Sequence, residues 1–150
     1  MPSTDTIDEE LMRFALKHAG DGIVVQDERG LVLWANDAYC QMCGYDLDEI
    51  AGRNSLEYCM PADQTPSAEE IANFRYDMDQ ANDRKLVLHQ YQHKNGDLFW
   101  IQISESVTPA TASRDARMIL VCRDVSDEIE RNHALEEAQK QLFELSLIHI

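Results

Sequence analysis

The strongest constraint on the fold is the dipeptide Asn95-Gly96, which lies between two segments of strand-like composition. Residues 86–93 and 98–107 are rich in β-branched and aromatic side chains. Because Gly adopts positive φ without steric cost, an Asn-Gly pair between two such segments is typical of a β-hairpin. Residues 118–123 have a similar composition and predict one further strand after this hairpin.

A second hairpin is predicted near the start of the chain, where residues 22–27 and 31–36 flank a short turn that contains Gly30. The residues between the two hairpins carry the start and stop signals of helices. The fold class is therefore predicted as α+β, with a five-stranded antiparallel sheet and helices inserted after strand 2. A chain of 150 residues can bury one core of this kind, so one domain with helical extensions is expected.

The helices are predicted from capping residues and apolar spacing. Residues 1–19 are expected to form an N-terminal helical extension that is capped by Asp5 or Thr6. Its apolar positions have i, i+4, i+7 and i+8 spacing and are Ile7, Leu11, Phe14 and Ala15. A short helix is expected to begin at Asn36 or Asp37.

A longer helix is predicted just before the second hairpin. Ser67 and Glu70 have the spacing of a capping box, and the helix they open is expected to run over residues 69–83. Its apolar face is predicted to consist of Ile71, Phe74, Met78 and Ala81. Residues 53–66 contain two prolines, so this stretch is expected to form turns or loop.

These elements, together with residues 36–45 and the closing residues 121–126, resemble a PAS domain, the sensor module of bacterial signalling proteins. The resemblance implies the PAS fold for residues 20–126, in a PAS/PAC module similar to the LOV photoreceptors. It also implies that residues 127–144 form a signalling linker helix that leads to an output domain in the same chain.

The last six residues, 145–150, change abruptly from a polar to an apolar composition. They match the translation of a transposon adapter used to prepare sequencing libraries, so this segment is expected to be a non-native tail. The alternative is a genuine apolar helix end. If the tail is non-native, the natural protein continues beyond this point.

Charge and hydropathy exclude several function classes. The formal net charge is −15, with 13 basic and 28 acidic residues, so no nucleic-acid partner is expected, because phosphate contacts are made chiefly by Lys and Arg. No signal peptide and no apolar segment of about 20 residues is visible. The expected location is cytoplasmic, and no direct membrane insertion of this segment is predicted.

Flavin and haem are both disfavoured as cofactors. The LOV photoreceptors have Gly-Arg-Asn-Cys, whose Cys forms the adduct with flavin, but this chain has Ser55 after Asn54. A hydroxyl cannot replace the thiolate in that chemistry. The family's flavin-contacting amides are replaced by Tyr91, Ile101 and Cys122, and residues 69–83 contain no His to ligate haem. The purified protein is therefore expected to be colourless.

No metal site and no catalytic residue is predicted. Cys40 and Cys43 lie one helical turn apart, but no Cys or His pair completes the four ligands of a structural zinc site. Phosphate-binding, nucleophile-elbow and zinc-protease motifs are all missing from the sequence. The segment is therefore expected not to be an enzyme, and any catalysis would belong to an output domain.

A pocket between the sheet and the inserted helices is the expected binding site, because PAS domains hold ligands there. The candidate wall residues are Tyr39, Ser55, Tyr58, Ile71, Phe74, Leu88, Tyr91, Ile101 and Leu120, with Val25 and Leu33 as further candidates. An unknown small ligand is one interpretation of this set. The other is that these residues form the plain core of a ligand-free PAS domain.

The chain is expected to form a homodimer that passes a signal along its helices. Positions 135, 138 and 142 have the spacing of a coiled-coil seam. The predicted dimer contacts are Leu11, Phe14, Leu135, Ala138 and Leu142, and Asp124 and Ser126 are predicted to couple the domain to the linker helix. By resemblance, the output domain is expected to be a diguanylate cyclase, with a histidine kinase second. The alternative is a ligand-free dimerisation module.

Overall fold

The computed structural model describes residues 8–79 and 85–148. Its centre is a five-stranded antiparallel sheet with the strand order β2-β1-β5-β4-β3. The elements are α1 (Glu9–Lys17), β1 (Gly22–Gln26), β2 (Val32–Ala35), α2 (Asp37–Cys43), α3 (Leu47–Ile50), α4 (Ser55–Tyr58), a 3₁₀ turn (Ala62–Gln64), α5 (Ala68–Asn73), β3 (Lys85–Gln92), β4 (Leu98–Thr108), β5 (Arg117–Asp124) and α6 (Ser126–Ile148). The predicted α+β architecture is confirmed.

Both predicted hairpins are present. Gly30 has a φ of 79° in the turn between β1 and β2, and Gly96 has a φ of 99° in the turn between β3 and β4. These are left-handed values that residues with a Cβ rarely adopt. The Asn95-Gly96 turn is closed by a hydrogen bond of 2.7 Å from the backbone N of His93 to the carbonyl of Asp97.

The two faces of the sheet differ in burial because side chains alternate along each strand. On the inner face, Val24 and Ile101 are fully buried against the inserted helices. The core consists of these residues and others from the same face, together with Tyr39, Cys43 and Ile50 from α2 and α3. On the outer face, Leu86, Leu88 and Leu98 are each more than half exposed.

Asn36 fixes the start of α2 and ties it to its neighbours. Its Oδ1 accepts hydrogen bonds from the backbone N of Tyr39 (3.1 Å) and of Ile23 (2.8 Å). Its Nδ2 donates to the carbonyls of Leu16 (2.9 Å) and Asp21 (3.0 Å). The helix cap therefore also joins the end of α1 to the first strand. The prediction of a helix start here is confirmed.

The long helix predicted before β3 is wrong. The predicted cap is present, since the Ser67 hydroxyl accepts a hydrogen bond from the backbone N of Glu70 (3.1 Å), but α5 ends at Asn73. Phe74 is extended, and the backbone N of Tyr76 donates to the carbonyl of Glu28 (2.9 Å). This contact with the β1–β2 turn takes the chain out of the helix. Met78 lies in a turn instead, and Ala81 lies outside the described residues.

Other boundaries also differ from prediction. The cap of α1 is Asp8, whose carboxylate accepts from the backbone N of Leu11 (2.7 Å), rather than Asp5 or Thr6. Residues 53–66, predicted as turns or loop, contain the single-turn helix α4 and the 3₁₀ turn. The last helix extends to Ile148, beyond the predicted end at Glu144, so the apolar residues that follow Glu144 continue the helix.

Candidate functional site: a cavity on the inner face of the sheet

A cavity of about 390 Å³ lies between the inner face of the sheet and the segments inserted after β2. The sheet contributes Lys85, His89, Tyr91, Ile103, Glu105, Ser106, Val107, Met118 and Leu120. The opposite wall is formed by Asn54, Ser55, Leu56, Phe74, Arg75, Tyr76 and Asp77. The floor is therefore largely apolar, and charged side chains lie around it.

Four of the nine candidate wall residues line this cavity, namely Ser55, Phe74, Tyr91 and Leu120. Tyr39, Tyr58 and Ile101 lie in the buried core and are not part of the lining. Ile71 is half-buried on α5 and does not line the cavity either.

Leu88 was predicted as a wall residue, and the structure contradicts this. It is paired with Gln102 on the outer face of the sheet and is 54% exposed. Two further candidates are wrong for related reasons. Val25 lies on the outer face between the buried residues Val24 and Gln26, and Leu33 is 46% exposed on β2.

Sequence reasoning missed the charged residues of the cavity. Tyr91 faces inward, and residues two apart on a strand share a face, so His89 and Lys85 also belong to the inner face. The same rule places Glu105 inward, because it is two residues from the buried Ile103 and Val107. Alternation along β3 and β4 was the signal that could have identified them.

A buried cluster of tyrosines and cysteines lies in the core. The hydroxyls of Tyr39 and Tyr58 share a hydrogen bond of 2.9 Å, and the Cys59 thiol donates to the sulfur of Cys43 across 3.6 Å. Burial raises the pKa of Tyr39, of Tyr58 and of the Cys59 thiol well above their ordinary values. The Cys59 thiol therefore stays protonated at neutral pH, which makes it a poor nucleophile and a poor metal ligand.

A second buried contact joins the sheet to the segment after α5. The hydroxyl of Tyr76 donates to Oε1 of Gln26 across 2.6 Å. Nε2 of the fully buried Gln26 has no hydrogen-bond partner in the described part of the chain. Burial, and then the nearby Glu105 carboxylate, raise the pKa of Tyr76. A buried amide donor without a partner lowers the stability of the fold. The Gln26–Tyr76 hydrogen bond thus holds Tyr76 in place at some expense of folding free energy.

The residues that match the flavin motif have a structural role here. Nδ2 of Asn54 donates to the carbonyl of Arg29 (3.0 Å), and its Oδ1 accepts from the backbone N of Leu56 (2.9 Å). Asn54 therefore caps α4 and ties it to the β1–β2 turn. At the positions that hold flavin in the photoreceptors, Tyr91, Ile101 and Cys122 are all buried and none is an amide. These side chains do not fit the polar edge of a flavin.

The closing residues join the sheet to α6. The backbone N of Trp100 on β4 donates to the Ser126 hydroxyl (2.8 Å), and the Trp100 carbonyl accepts from the backbone N of Val125 (2.9 Å). Oδ1 of Asp124 accepts from the backbone N of Ser126 (2.9 Å). Asp124 and Ser126 thus form one hydrogen-bonded junction at the start of the helix.

The predicted dimer contacts are all on the surface. Leu11 and Phe14 on α1 are 51% and 62% exposed, and Leu135 and Leu142 on α6 are 58% and 67% exposed. Ala138 is exposed as well. Across residues 8–79 and 85–148, no helix has the length and apolar character needed to cross a membrane.

Residues 20–127 match the family model described as PAS domain. The chain belongs to the PAS domain family. A solved structure, the PAS domain of an HTR-like protein from Haloarcula marismortui, superimposes with a TM-score of 0.58 at 20% identity, covering 77% of this chain and 89% of that one. This PAS module therefore has the fold that its sequence resembles.

Two curated relatives are signalling proteins. The sensor histidine kinase TmoS of Ectopseudomonas mendocina is 21% identical over 141 residues, which is 94% of this chain and 14% of TmoS. The probable diguanylate cyclase DgcE of Escherichia coli strain K12 is 23% identical over 142 residues, which is 91% of this chain and 12% of DgcE. The PAS module thus corresponds to a small part of each relative, and its class is that of a sensory module.

Proposed function

We propose that this PAS module changes state in response to a signal and passes the change through α6 to an output domain that follows it in a longer protein. The observation that carries the proposal is the junction at Ser126. Its hydroxyl accepts from the backbone of β4, while its own backbone N donates to Asp124. A shift in β4 would therefore move the first turn of the helix.

The contacts on either side of the junction support this direction of coupling. On β4, Ile103 and Glu105 line the cavity from the inner face, and Trp100 lies on the same strand beside the helix start. One strand thus touches both the cavity and the helix. A change in cavity contents would therefore reach α6 along β4 and then across the hydrogen bonds that join Trp100 to Val125 and Ser126.

For the output domain, we propose a diguanylate cyclase first and a histidine kinase second. DgcE and TmoS, by their names, represent these two kinds of protein, and each is much longer than this chain. The full-length reading frame distinguishes the two, because a cyclase carries a Gly-Gly-Asp-Glu-Phe motif and a kinase carries a phosphorylated His.

A ligand-free dimerisation module is the second candidate function, and the exposed apolar outer face of the sheet favours it. Leu86, Leu88 and Leu98 lie there and are each more than half exposed. In that case the sheet would bind a second copy and the cavity would remain part of the core.

The junction is tested by Asp124→Ala and Ser126→Ala in the full-length protein, with output activity and thermal unfolding measured together. Loss of a helix cap should cost about 1 kcal/mol of stability. Coupling predicts a change in output that is much larger than this small loss explains. Asp127→Ala, an exposed neighbour in the first turn, is the matched control. Output that stays at the wild-type level in both variants would restrict Asp124 and Ser126 to capping.

A further inference from the structure

Glu105 is the unusual residue of the cavity. It is a half-buried carboxylate on the inner face of β4, directly opposite the buried Leu120 on β5. In the part of the chain that the structure describes, no hydrogen bond or ion pair satisfies this carboxylate. A charge that is partly removed from water gains by pairing with an opposite charge. Glu105 is thus a negative group that faces the cavity and is available to a ligand.

Among the described residues, the two basic side chains that line the cavity with Glu105 do not pair with it. Lys85 is its partner in the β3–β4 register, but Lys85 is exposed and forms no ion pair with it. Nη1 of Arg75 donates to the carbonyls of Ala72 (3.0 Å) and Phe74 (2.5 Å), so this guanidinium is held by the backbone at the end of α5. Within the described residues, the Glu105 carboxylate is therefore left to pair with a ligand cation.

Aromatic rings surround the same space from two sides. Phe74 and Tyr76 form a perpendicular pair with ring centres 4.8 Å apart. On the sheet, His89 and Tyr91 form a stacked pair with ring centres 5.9 Å apart. The faces of aromatic rings attract cations, most strongly when water is partly excluded. The hydrogen bond from Tyr76 to Gln26 holds one of these rings in position before any ligand binds.

We propose that this cavity binds a small organic cation, in which an ammonium group pairs with Glu105 and an attached apolar or aromatic group packs among the four rings. The volume of about 390 Å³ is in the range of small-molecule sites. The net charge of −15 would also draw cations toward the molecule. This inference rests on the proposed sensory function, for which it names the class of ligand.

The proposal is tested by calorimetry on the whole chain with three probes that share one ring: benzylammonium, benzyl alcohol and benzoate. Benzylammonium should bind at least about tenfold more tightly than benzyl alcohol, because only the cation can pair with Glu105 and with the ring faces. Benzoate should not bind. Preferential binding of benzoate, or equal binding of all three probes, would overturn the proposal.

Three variants test whether benzylammonium binds in this cavity. Glu105→Gln keeps the shape of the side chain and should weaken benzylammonium binding by about tenfold. Lys85→Met removes the exposed ammonium that lies opposite Glu105 in the β3–β4 register and should strengthen binding severalfold. Glu130→Gln, on the exposed surface of α6, is the matched control and should leave affinity unchanged. Circular dichroism checks that each variant is folded.

Failure of the proposed ligand class and failure of the proposed coupling through α6 give different results. If benzylammonium binding is unaffected by Glu105→Gln, the ligand class is wrong, whatever the junction variants do. If Asp124→Ala and Ser126→Ala leave output at the wild-type level while Glu105→Gln weakens benzylammonium binding as expected, the cavity binds cations and the coupling through α6 is wrong.

Discussion

At the scale of single residues, the Gln26–Tyr76 pair shows that a buried side-chain amide can have a hydrogen-bond partner at only one of its two polar atoms. Tyr76 donates to the amide oxygen of Gln26, while the amide nitrogen of Gln26 has no partner among the described residues. Replacing one member of a buried hydrogen-bonded pair leaves the other without a partner, whereas replacing both by apolar groups leaves no unpaired polar atom. Gln26 and Tyr76 should therefore be coupled energetically.

A double-mutant cycle of Gln26→Met and Tyr76→Phe should reveal this coupling. Each single change should cost about 1–3 kcal/mol in unfolding free energy, because it leaves a buried polar atom unpaired. The double variant should cost less than the sum, by about 1 kcal/mol. Urea unfolding measures all four proteins, and Tyr45→Phe, which loses only a 3.3 Å hydrogen bond to the Tyr58 carbonyl, is the control. Additive effects of the two changes would contradict the coupling.

The residues of the cavity could be predicted only in part from the sequence. Ser55, Phe74, Tyr91 and Leu120 were found because the resemblance located the helices and strands that carry them. Leu88 has the apolar character of a wall residue, but it is an odd number of residues from Tyr91 on the same strand and therefore lies on the opposite face of the sheet. Strand alternation decides which side chains face inward, and hydrophobicity alone does not.

At the scale of elements, α3 is joined to the turn between β3 and β4. Nζ of Lys94 lies 2.6 Å from Oε2 of Glu49, and the backbone N of Lys94 donates to the carbonyl of Cys43 (2.9 Å). The Lys94 ammonium also lies 5.4 Å from the centre of the Tyr45 ring. The hydrogen bond from Lys94 lowers the pKa of the Glu49 carboxyl, and the same bond raises the pKa of Lys94.

Lys94→Met should therefore make stability less dependent on pH in acid. Because the folded-state pKa of Glu49 is lowered, its contribution is present above the unfolded pKa of about 4.3 and is lost as pH falls through the folded value. The difference in unfolding free energy between wild type and variant should thus shrink as pH falls below about 4. Urea unfolding from neutral to acid pH measures it without screening the pair, with Lys140→Met on the exposed α6 as control. A difference that stays constant with pH would argue against the ion pair.

The two hairpins could be predicted from residues next to one another in sequence, whereas the end of α5 could not, because it depends on a contact that is distant in sequence. Gly30 and Gly96 specify their turns through residues next to them in sequence, so both turns were predictable. The end of α5 depends on the hydrogen bond from Tyr76 to Glu28, a residue on the β1–β2 turn. The capping residue Ser67 indicates where a helix starts, but it carries no information about a contact of this kind.

At the scale of the whole molecule, two helices present apolar side chains that the domain itself does not cover. On α1, none of the described residues is buried, and Leu11 and Phe14 are more than half exposed. On α6, Leu145 continues the three-and-four spacing of Leu135 and Leu142 and is 53% exposed. Burying one Leu gains about 1.5–3 kcal/mol, so several such contacts, doubled by two-fold symmetry, can offset an association cost of about 4–15 kcal/mol.

The expected assembly is a parallel homodimer of weak to moderate affinity. Leu135→Glu combined with Leu142→Glu should shift it to monomer, because the new carboxylates would face each other across the seam, while the PAS fold survives. Leu33→Glu, an exposed leucine on β2, is the control and should leave the dimer intact. Raising the salt concentration should tighten the wild-type dimer by screening the net charge of −15. Sedimentation showing a monomer at high micromolar concentration would contradict this assembly.

The position of the junction at Ser126 also sets how far the end of α6 would move for a given shift of β4. The helix that begins there has 23 residues, so it is roughly 34 Å long at 1.5 Å per residue. Among the described residues, only its first turn forms hydrogen bonds to the sheet, so under the proposed coupling the helix would act as a lever that pivots at β4. A tilt of about 5° at the fulcrum, produced by a sub-ångström shift of the strand, would displace the far end by about 3 Å, more than half of the 5.4 Å helical pitch.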